Sequence, residues 1–430
     1  MTTTYDPSNP SYFDESDLRK ELTRVYDLCH GCRLCVNLCP SFPSMFNAID
    51  ARDGDVEAMT VAEQDKVVDE CFGCKICYVK CPYVPPHEWD LDFPRLMLRA
   101  KAVKVKQKRQ SFKEIVTDRA LAMTDMSGSV AVPLSPIVNR VIGARDSLGR
   151  GLIEVTTGIS KSRMLPPYAR VRFTTWFRKR LRPFISNRRG KVSVFPTCFI
   201  EYMEPNIGKD LVKVYERNGI ECSMPDGAKC CGAPWLHQGN VTEFKRAASR
   251  NVRILATEVA QGKDIIIAQP TCAYVVKKDY PLYLGTKDAE RVASRTYDAS
   301  EYLIKMHKSG GGIDVDFEGE KRQEVTYHAA CHLQAQNIGL KGRDLIKLTG
   351  AKVNVVSRCS GIDGTWGYRS ENFASSKKLS GALAQQIAKT GHDELAGECH
   401  LANKAIQEET GESVSHPLQI IARAYGIQEE

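Results

Sequence analysis

Two stretches of this chain, CHGCRLCVNLCP at 29–40 and CFGCKICYVKCP at 71–82, share one spacing, C-x-x-C-x-x-C-x-x-x-C-P. Three thiolates two residues apart can wrap one iron–sulfur cube, while the fourth, three residues on, has turned toward the other; this is the spacing that holds two [4Fe–4S] cubanes. It assigns Cys29, Cys32, Cys35 and Cys81 to a first cluster and Cys71, Cys74, Cys77 and Cys39 to a second. Pro40 and Pro82 lack an N–H and start the turns by which the chain leaves each set. Zinc usually takes four ligands as two separated pairs, not as a run of four closed by proline.

The rest of the composition agrees with metal-binding thiols. The chain has 430 residues and 16 cysteines, enough length for two or three domains. Its first residues, MTTTYDPSNPSYFDESD, are polar and acidic, without the apolar segment of a signal peptide. No run approaches the roughly 18 apolar residues of a membrane-spanning helix. The expected setting is cytoplasmic, where thiols stay reduced and free to bind metal.

The pattern predicts an α+β multidomain chain in four parts. Residues 1–110 read as an all-helical dicluster ferredoxin module: a loose tail, a helix from Ser16 through Leu18, Leu22, Val25 and Leu28, one opened by a Thr60/Glu63 capping box, and one over 92–108. Residues 111–190 read as a helical basic connector. No acidic residue occurs over 156–200, and Phe173, Trp176, Phe177, Leu181 and Phe184 recur among its arginines as on one amphipathic helix. Such a helix suits an anionic membrane, an acidic partner protein or an ordinary solvated face. No nucleic-acid module accompanies the basic residues, so no nucleic-acid partner is expected. Residues 191–310 and 311–430 each alternate strands and helices, implying parallel βαβ units.

Those last two parts repeat their cysteines. The first copy has Cys198, then Cys230–Cys231–Gly232, then Cys272; the second has Cys331, then Cys359–Ser360–Gly361, then Cys399. The carboxyl ends of strands in α/β folds converge on one crevice, so cysteines placed there can meet.

On these motifs the chain resembles the C-subunit family of anaerobic glycerol-3-phosphate dehydrogenase and, more broadly, heterodisulfide-reductase-related iron–sulfur proteins. The stretches that carry the resemblance include PTCFIEYMEPNIGKDLVKV at 196–214, AKCCGAPW at 228–235, PTCAYVVKKDYP at 270–281, YHAACHLQ at 327–334 and RCSGIDGTWGYRSENF at 358–373. The resemblance implies a dicluster module joined to two Cys-Cys-Gly domains. It also implies an electron-transfer subunit that links a flavoprotein dehydrogenase to a quinone or other acceptor; the basic and aromatic residues of 161–191 add an expected peripheral contact on the cytoplasmic face of the membrane. Three positions depart from the family pattern: Val275, Ala402 and Ser360 stand where it has cysteine. The first repeat keeps four thiols, Cys198, Cys230, Cys231 and Cys272, a set sufficient for a third [4Fe–4S] cluster. The second keeps Cys331, Cys359 and Cys399, to which His332 or His328 would add a ligand for zinc or a degenerate cluster. The missing thiols weaken the expectation of heterodisulfide or thiol–disulfide chemistry at Cys230–Cys231, and a soluble donor to a di-iron peroxide-reducing protein is a further alternative. The first repeat's thiols are the expected next station after the ferredoxin module. No G-x-G-x-x-G or P-loop is present, so the substrate chemistry is expected on another chain.

Overall fold

The computed structural model describes residues 5–427. Its N-terminal module is helical, with α1 Glu15–Cys32, α2 Ser41–Asp50, α3 Val61–Glu70, α4 Ile76–Lys80 and α5 Phe93–Lys106. Asp14 caps α1 by accepting the N–H of Asp17, and Thr60 and Glu63 close the expected capping box on α3. Leu22, Phe42, Met45, Val67 and Leu96 fill the core between them. The first helix runs further than the pattern predicted. It carries Cys29 and Cys32 on its last turn and stops at Arg33, which is left-handed with φ 53°.

The expected loose tail is a correction: within the described residues, 10–13 form a 3₁₀ turn with Tyr12 fully buried. Arg99 donates to the carbonyls of Ser11 and Tyr12, and the Tyr12 hydroxyl meets that of Tyr283 at 3.2 Å. A buried guanidinium needs these acceptors, so Arg99 fixes the tail to α5, and the Tyr12–Tyr283 contact joins it to the first α/β repeat.

The connector holds α6 Phe112–Ala122, α7 Thr124–Ala131, α8 Ser135–Gly143, α9 Leu148–Thr157 and α10 Phe173–Lys179. The buried Arg150 pins α8 and α9 through the carbonyls of Ile142, Ser160 and Arg163. The basic segment is not one amphipathic helix through Phe184. Helix α10 ends at Lys179; Phe173 and Phe177 face the core, whereas Leu181 and Phe184 lie beyond the helix in solvent. Two arginines turn inward. Arg180 pairs with Glu216, and Arg163 with Glu408, both pairs buried.

Each repeat builds a four-stranded parallel sheet. The first comprises β1 Gly190–Val194, β2 Ile220–Ser223, β3 Asp264–Ile267 and β4 Thr296–Asp298, in spatial order β2-β1-β3-β4. The second comprises β5 Glu324–His328, β6 Lys352–Val356, β7 Glu394–Gly397 and β8 Val414–Ser415, in order β6-β5-β7-β8. The two orders are equivalent, strand for strand. The pattern had missed β4, β7 and β8, whose sequences TYD, ELAG and VS are too short for a clear strand signal. It had also drawn one helix over 332–349. The structure divides it into Cys331–Ala335 and Lys341–Lys347, around left-handed Asn337 and Gly339. Among the described residues no helix is long and apolar enough to cross a membrane.

Candidate metal centres

The eight thiols of the N-terminal module act on one another's ionisation, Cys29 with Cys32, Cys35 and Cys81, and Cys77 with Cys39, Cys71 and Cys74. Burial raises Cys29 above the usual thiol range, and the charges of Cys35, Cys81 and Cys32 raise it further. Cys35 is raised to about 11, chiefly by burial and then by Cys81 and Cys32. In the second set, burial raises Cys39 and Cys77 strongly, and each also feels Cys71 and Cys74. Cys77 feels Cys35 as well, so the two sets adjoin. The fourth cysteine of each run thus lies near thiols of the other run. Buried thiols crowded this way resist ionisation until a cation shares their charge, which is the behaviour of a metal-ligand set.

In the first repeat, three strand ends deliver the thiols. Cys198 opens the helix Cys198–Tyr202 just after β1, with Thr197 as its cap. Cys230 and Cys231 occupy the loop after β2, and Cys272 lies on Pro270–Tyr274 after β3. Gly232 has φ +87°, and a Cβ there would press on Phe244 at 3.1 Å. The loop's backbone is tied at Lys229, Cys230 and Cys231. The Asn251 side chain accepts from Lys229 N–H at 3.0 Å and donates to the Lys229 and Cys230 carbonyls. Tyr280 donates to the Cys231 carbonyl at 2.9 Å, and Asp125 of the connector accepts from Cys230 N–H at 2.9 Å. These three residues carry no motif; Asn251 and Tyr280 are marked only by their burial, and Asp125 is half-buried.

All four thiols line one largely apolar cavity of about 210 Å³, roofed by Leu121, Thr124, Ser127 and Ile142 of the connector. Cys231 and Cys272 stand 3.3 Å apart. Cys198 and Cys231 donate to Cys230 and hold it well below the usual thiol range, while both donors are raised. Four soft donors around an apolar cavity, with one already favouring thiolate, fit a [4Fe–4S] core.

The second repeat repeats the backbone and changes the donors. Cys331 opens a helix after β5, Cys359 lies in the loop after β6, and Cys399 caps His400–Thr410 after β7. Gly361 has φ +69° and lies so close to the Ser376 carbonyl that a Cβ would sit 2.5 Å from it. Ser360, buried, stands where the first repeat has Cys231. Cys331, Cys359 and Cys399 line a cavity of about 600 Å³ together with Cys74 of the ferredoxin module, Lys80 and Arg358. Cys359 donates to Cys74, lowering Cys74 and raising itself. Burial raises Cys331, and the charges of Cys74, Asp363 and Cys399 add to it. A thiol from another module therefore stands beside the three of this repeat, a neighbour that spacing within the repeat could not disclose.

His332 lines the same cavity, its Nδ1 at 3.6 Å from Cys331 Sγ, with its ring stacked 5.7 Å from His237. Burial keeps it neutral, and its Nε2 is buried with no partner. His328 instead meets the Arg358 carbonyl through Nε2 at 2.9 Å. Among the described residues, no three His, Cys, Asp or Glu side chains are drawn together as tightly as a single metal ion requires. Cys222 is plain core, buried under the first sheet.

The two repeat sites lie close to each other. Gln269 donates to Cys399 Sγ at 3.7 Å and accepts from His400 N–H at 3.2 Å, and Thr271 and Leu401 line both cavities. On the other side, Trp366 of the second repeat donates to the Asp69 carbonyl at 3.0 Å and packs on Phe72. The ferredoxin module thus sits on the second repeat and also on the first, where Leu98 and Ala102 of α5 share a core with Leu236 and Phe244.

Comparison with known proteins agrees with this division. A family profile described as a cysteine-rich domain matches residues 192–277 and 325–402, and one described as a citrate utilization protein B Fer4-like domain matches 21–108. The C-subunit of anaerobic glycerol-3-phosphate dehydrogenase from Escherichia coli (strain K12) is 28% identical over 338 residues, 78% of this chain and 82% of that protein. Lactate utilization protein A of Bacillus licheniformis is 28% identical over 41% of this chain and 68% of its own length. The B-subunit of fumarate reductase (CoM/CoB) from Methanothermobacter marburgensis is 28% identical over 56% of this chain and 47% of its own length. The chain is homologous to the first of these and carries a Fer4-like N-terminal domain followed by two tandem cysteine-rich domains.

Proposed function

We propose that this iron–sulfur protein is an electron-transfer subunit of an oxidoreductase complex, with three cluster sites in line between a flavoprotein dehydrogenase and a quinone or other acceptor. A [4Fe–4S] cluster, when bound, takes up or releases one electron at a time. Cys29, Cys32, Cys35 and Cys81 would hold the first cluster, Cys71, Cys74, Cys77 and Cys39 the second, and Cys198, Cys230, Cys231 and Cys272 the third. The protein's own part is to hold these donors close and to govern their surroundings. Cys32 is exposed, beside exposed Leu34 and Val36, which gives a donor protein access to the first set. The third set is enclosed by the connector.

The single observation that carries the reading is the contact of Cys74 with Cys359. It joins the ferredoxin module directly to the second repeat, whose Cys399 is linked through Gln269 to the first repeat. The second repeat then stands between the two ends. Its three thiols and His332 would hold a degenerate cluster or zinc, or serve as a packed bridge without metal.

Iron and sulfide analysis with EPR on anaerobically purified protein tests the proposal. The expected content is about twelve irons per chain, falling to about eight in Cys230→Ala with the N-terminal signals unchanged. About eight irons in both proteins would remove the third cluster. Reduction of a disulfide substrate by the isolated protein would favour thiol–disulfide chemistry at Cys230–Cys231 instead.

A further inference from the structure

Lys75 follows Cys74 in the second cysteine run and takes a left-handed backbone conformation, φ 65°. The residue is 4% exposed, and its Nζ is buried with no hydrogen-bond partner among the described residues. The ammonium lies over the ring of Tyr274 in the first repeat, 4.8 Å from its centroid. Lysine is almost never buried unless it is paired, so a cation held this way is an exception with a cost.

Its surroundings leave that charge poorly compensated. Asp92 beside α5, Asp279 of the first repeat and Asp363 of the second all feel Lys75, yet none accepts a hydrogen bond from it. Burial works against the charged form of each of these acids, raising Asp363 to about 7. Two other cations draw on the same acids: Arg95 acts on Asp92 and Asp279, and Lys101 on Asp363. His237 and His332, which also face Lys75, are held neutral by burial first and by its charge second.

The place of this cation is specific to one thiol set. Lys75 lines, with Phe42, Phe72 and Phe93, the cavity walled by Cys39, Cys71, Cys74 and Cys77. The cations near the first set are placed otherwise. Arg24, which acts on Cys29, is paired with Glu21, and Lys80, which acts on Cys35, is exposed. Water and salt screen an exposed charge, whereas one set in an apolar wall keeps its field. Reduction adds one negative charge to a [4Fe–4S] cluster, so an unscreened cation beside it favours the reduced form.

We propose that the buried Lys75 ammonium raises the reduction potential of a cluster on Cys71, Cys74, Cys77 and Cys39 above that of a cluster on the first set. An electron entering at the first set then settles on the second, beside Cys359 of the second repeat. No proton moves with it; the cation answers the added charge. This rests on the reading that both N-terminal sets carry clusters.

Redox titration of the full, anaerobically purified chain, followed by EPR, tests it. The wild type should show two separate N-terminal midpoints, the lower belonging to the signal that Cys32→Ser alters. Lys75→Met should lower the upper midpoint and bring it toward the other. Lys75→Arg, which keeps the charge, should hold it near the wild-type value, and Lys80→Met should move neither midpoint as far. An upper midpoint belonging to the first set would overturn the proposal, as would a Lys75→Met protein with both midpoints unmoved. So would a shift in Lys75→Arg as large as in Lys75→Met, since packing and not charge would then be the cause. Where Lys75→Met loses iron, Lys75→Gln and the wild-type order of the midpoints decide by the same criteria. Fewer than about eight irons in the wild-type chain would remove the two-cluster reading and the proposal with it; a full complement with unmoved midpoints would remove the proposal alone.

Discussion

The two cysteine-rich repeats share a sheet order, a glycine-bent loop and three cysteine positions, yet their loops differ in one donor: the sulfur of Cys231 stands where the second repeat has the oxygen of Ser360. The first repeat is complete in itself, with four thiols at an apolar cavity of about 210 Å³. The second keeps three thiols, opens a cavity of about 600 Å³ and turns it toward Cys74 of the ferredoxin module. The two copies share a backbone and divide the donors. The intact copy faces the connector, and the reduced one opens toward another module's thiol.

Exchanging that atom should have the largest effect. Cys231→Ser gives the first repeat the second's pattern and should remove about four irons per chain. Ser360→Cys restores a fourth thiol and should add about four; no gain would mean that the Cys74 contact, not the thiol count, shapes the second site. Metal analysis of the purified variants reads both.

The anchors of the connector come next. Arg163 is buried on Glu408, the Gly367 carbonyl and Ser376, so Arg163→Ala leaves that buried carboxylate only the Met164 N–H and the more distant Arg145, and should cost about 3 kcal/mol in denaturant unfolding. Arg180→Ala should cost less, because Arg180 is held by the single carboxylate of Glu216 in the first repeat and packs on Phe177. Equal costs would show that the two repeats hold the connector alike.

A side chain at the loop glycines should cost the second repeat more. Gly361→Ala meets backbone at Ser376, which cannot yield, whereas Gly232→Ala meets side chains; both also force a left-handed residue, about 1–2 kcal/mol. Thermal melts of the two variants give the ranking.

A further effect is a pH term carried in both repeats by buried carboxyls: in the second, Glu398 and Asp363 are raised to about 8 and about 7, chiefly by burial. In the first, Asp298, at the end of β4, is raised from 3.8 to about 7 by burial, with Lys277 opposing and Glu301 adding; Ser415 ends the equivalent β8. A raised carboxyl pKa stabilises the fold fully below the unfolded value and loses that contribution as pH rises toward about 7. Asp298→Asn should flatten the fall of stability between about pH 4 and pH 7, by an amount on the order of a few kcal/mol at most.

Much of this was legible in the residues. The doubled C-x-x-C-x-x-C-x-x-x-C-P assigns the thiols to two sets, because three residues turn the fourth sulfur away; in the structure the charge of Cys81 acts on Cys29 and that of Cys71 on Cys39. The paired repeats were visible in their cysteines before their strands, since β4, β7 and β8 are too short for an alternation signal. What sequence could not disclose was long-range. Nothing near Cys74 in the chain announces Cys359, and nothing near Asp125 announces Cys230. The basic segment misled for a related reason: composition counts arginines without saying that Arg163 and Arg180 are buried against glutamates far along the chain.

The most direct test of the three-site relay is reoxidation of the reduced protein. Reduced anaerobically and mixed with a water-soluble quinone, the wild-type chain should lose its N-terminal reduced-cluster EPR signals. Cys230→Ala, with those signals intact at the start, should lose them at least about a hundredfold more slowly, an increase of about 2.7 kcal/mol in the barrier. Reoxidation of the variant at the wild-type rate would show that electrons leave without the first repeat and would contradict the account.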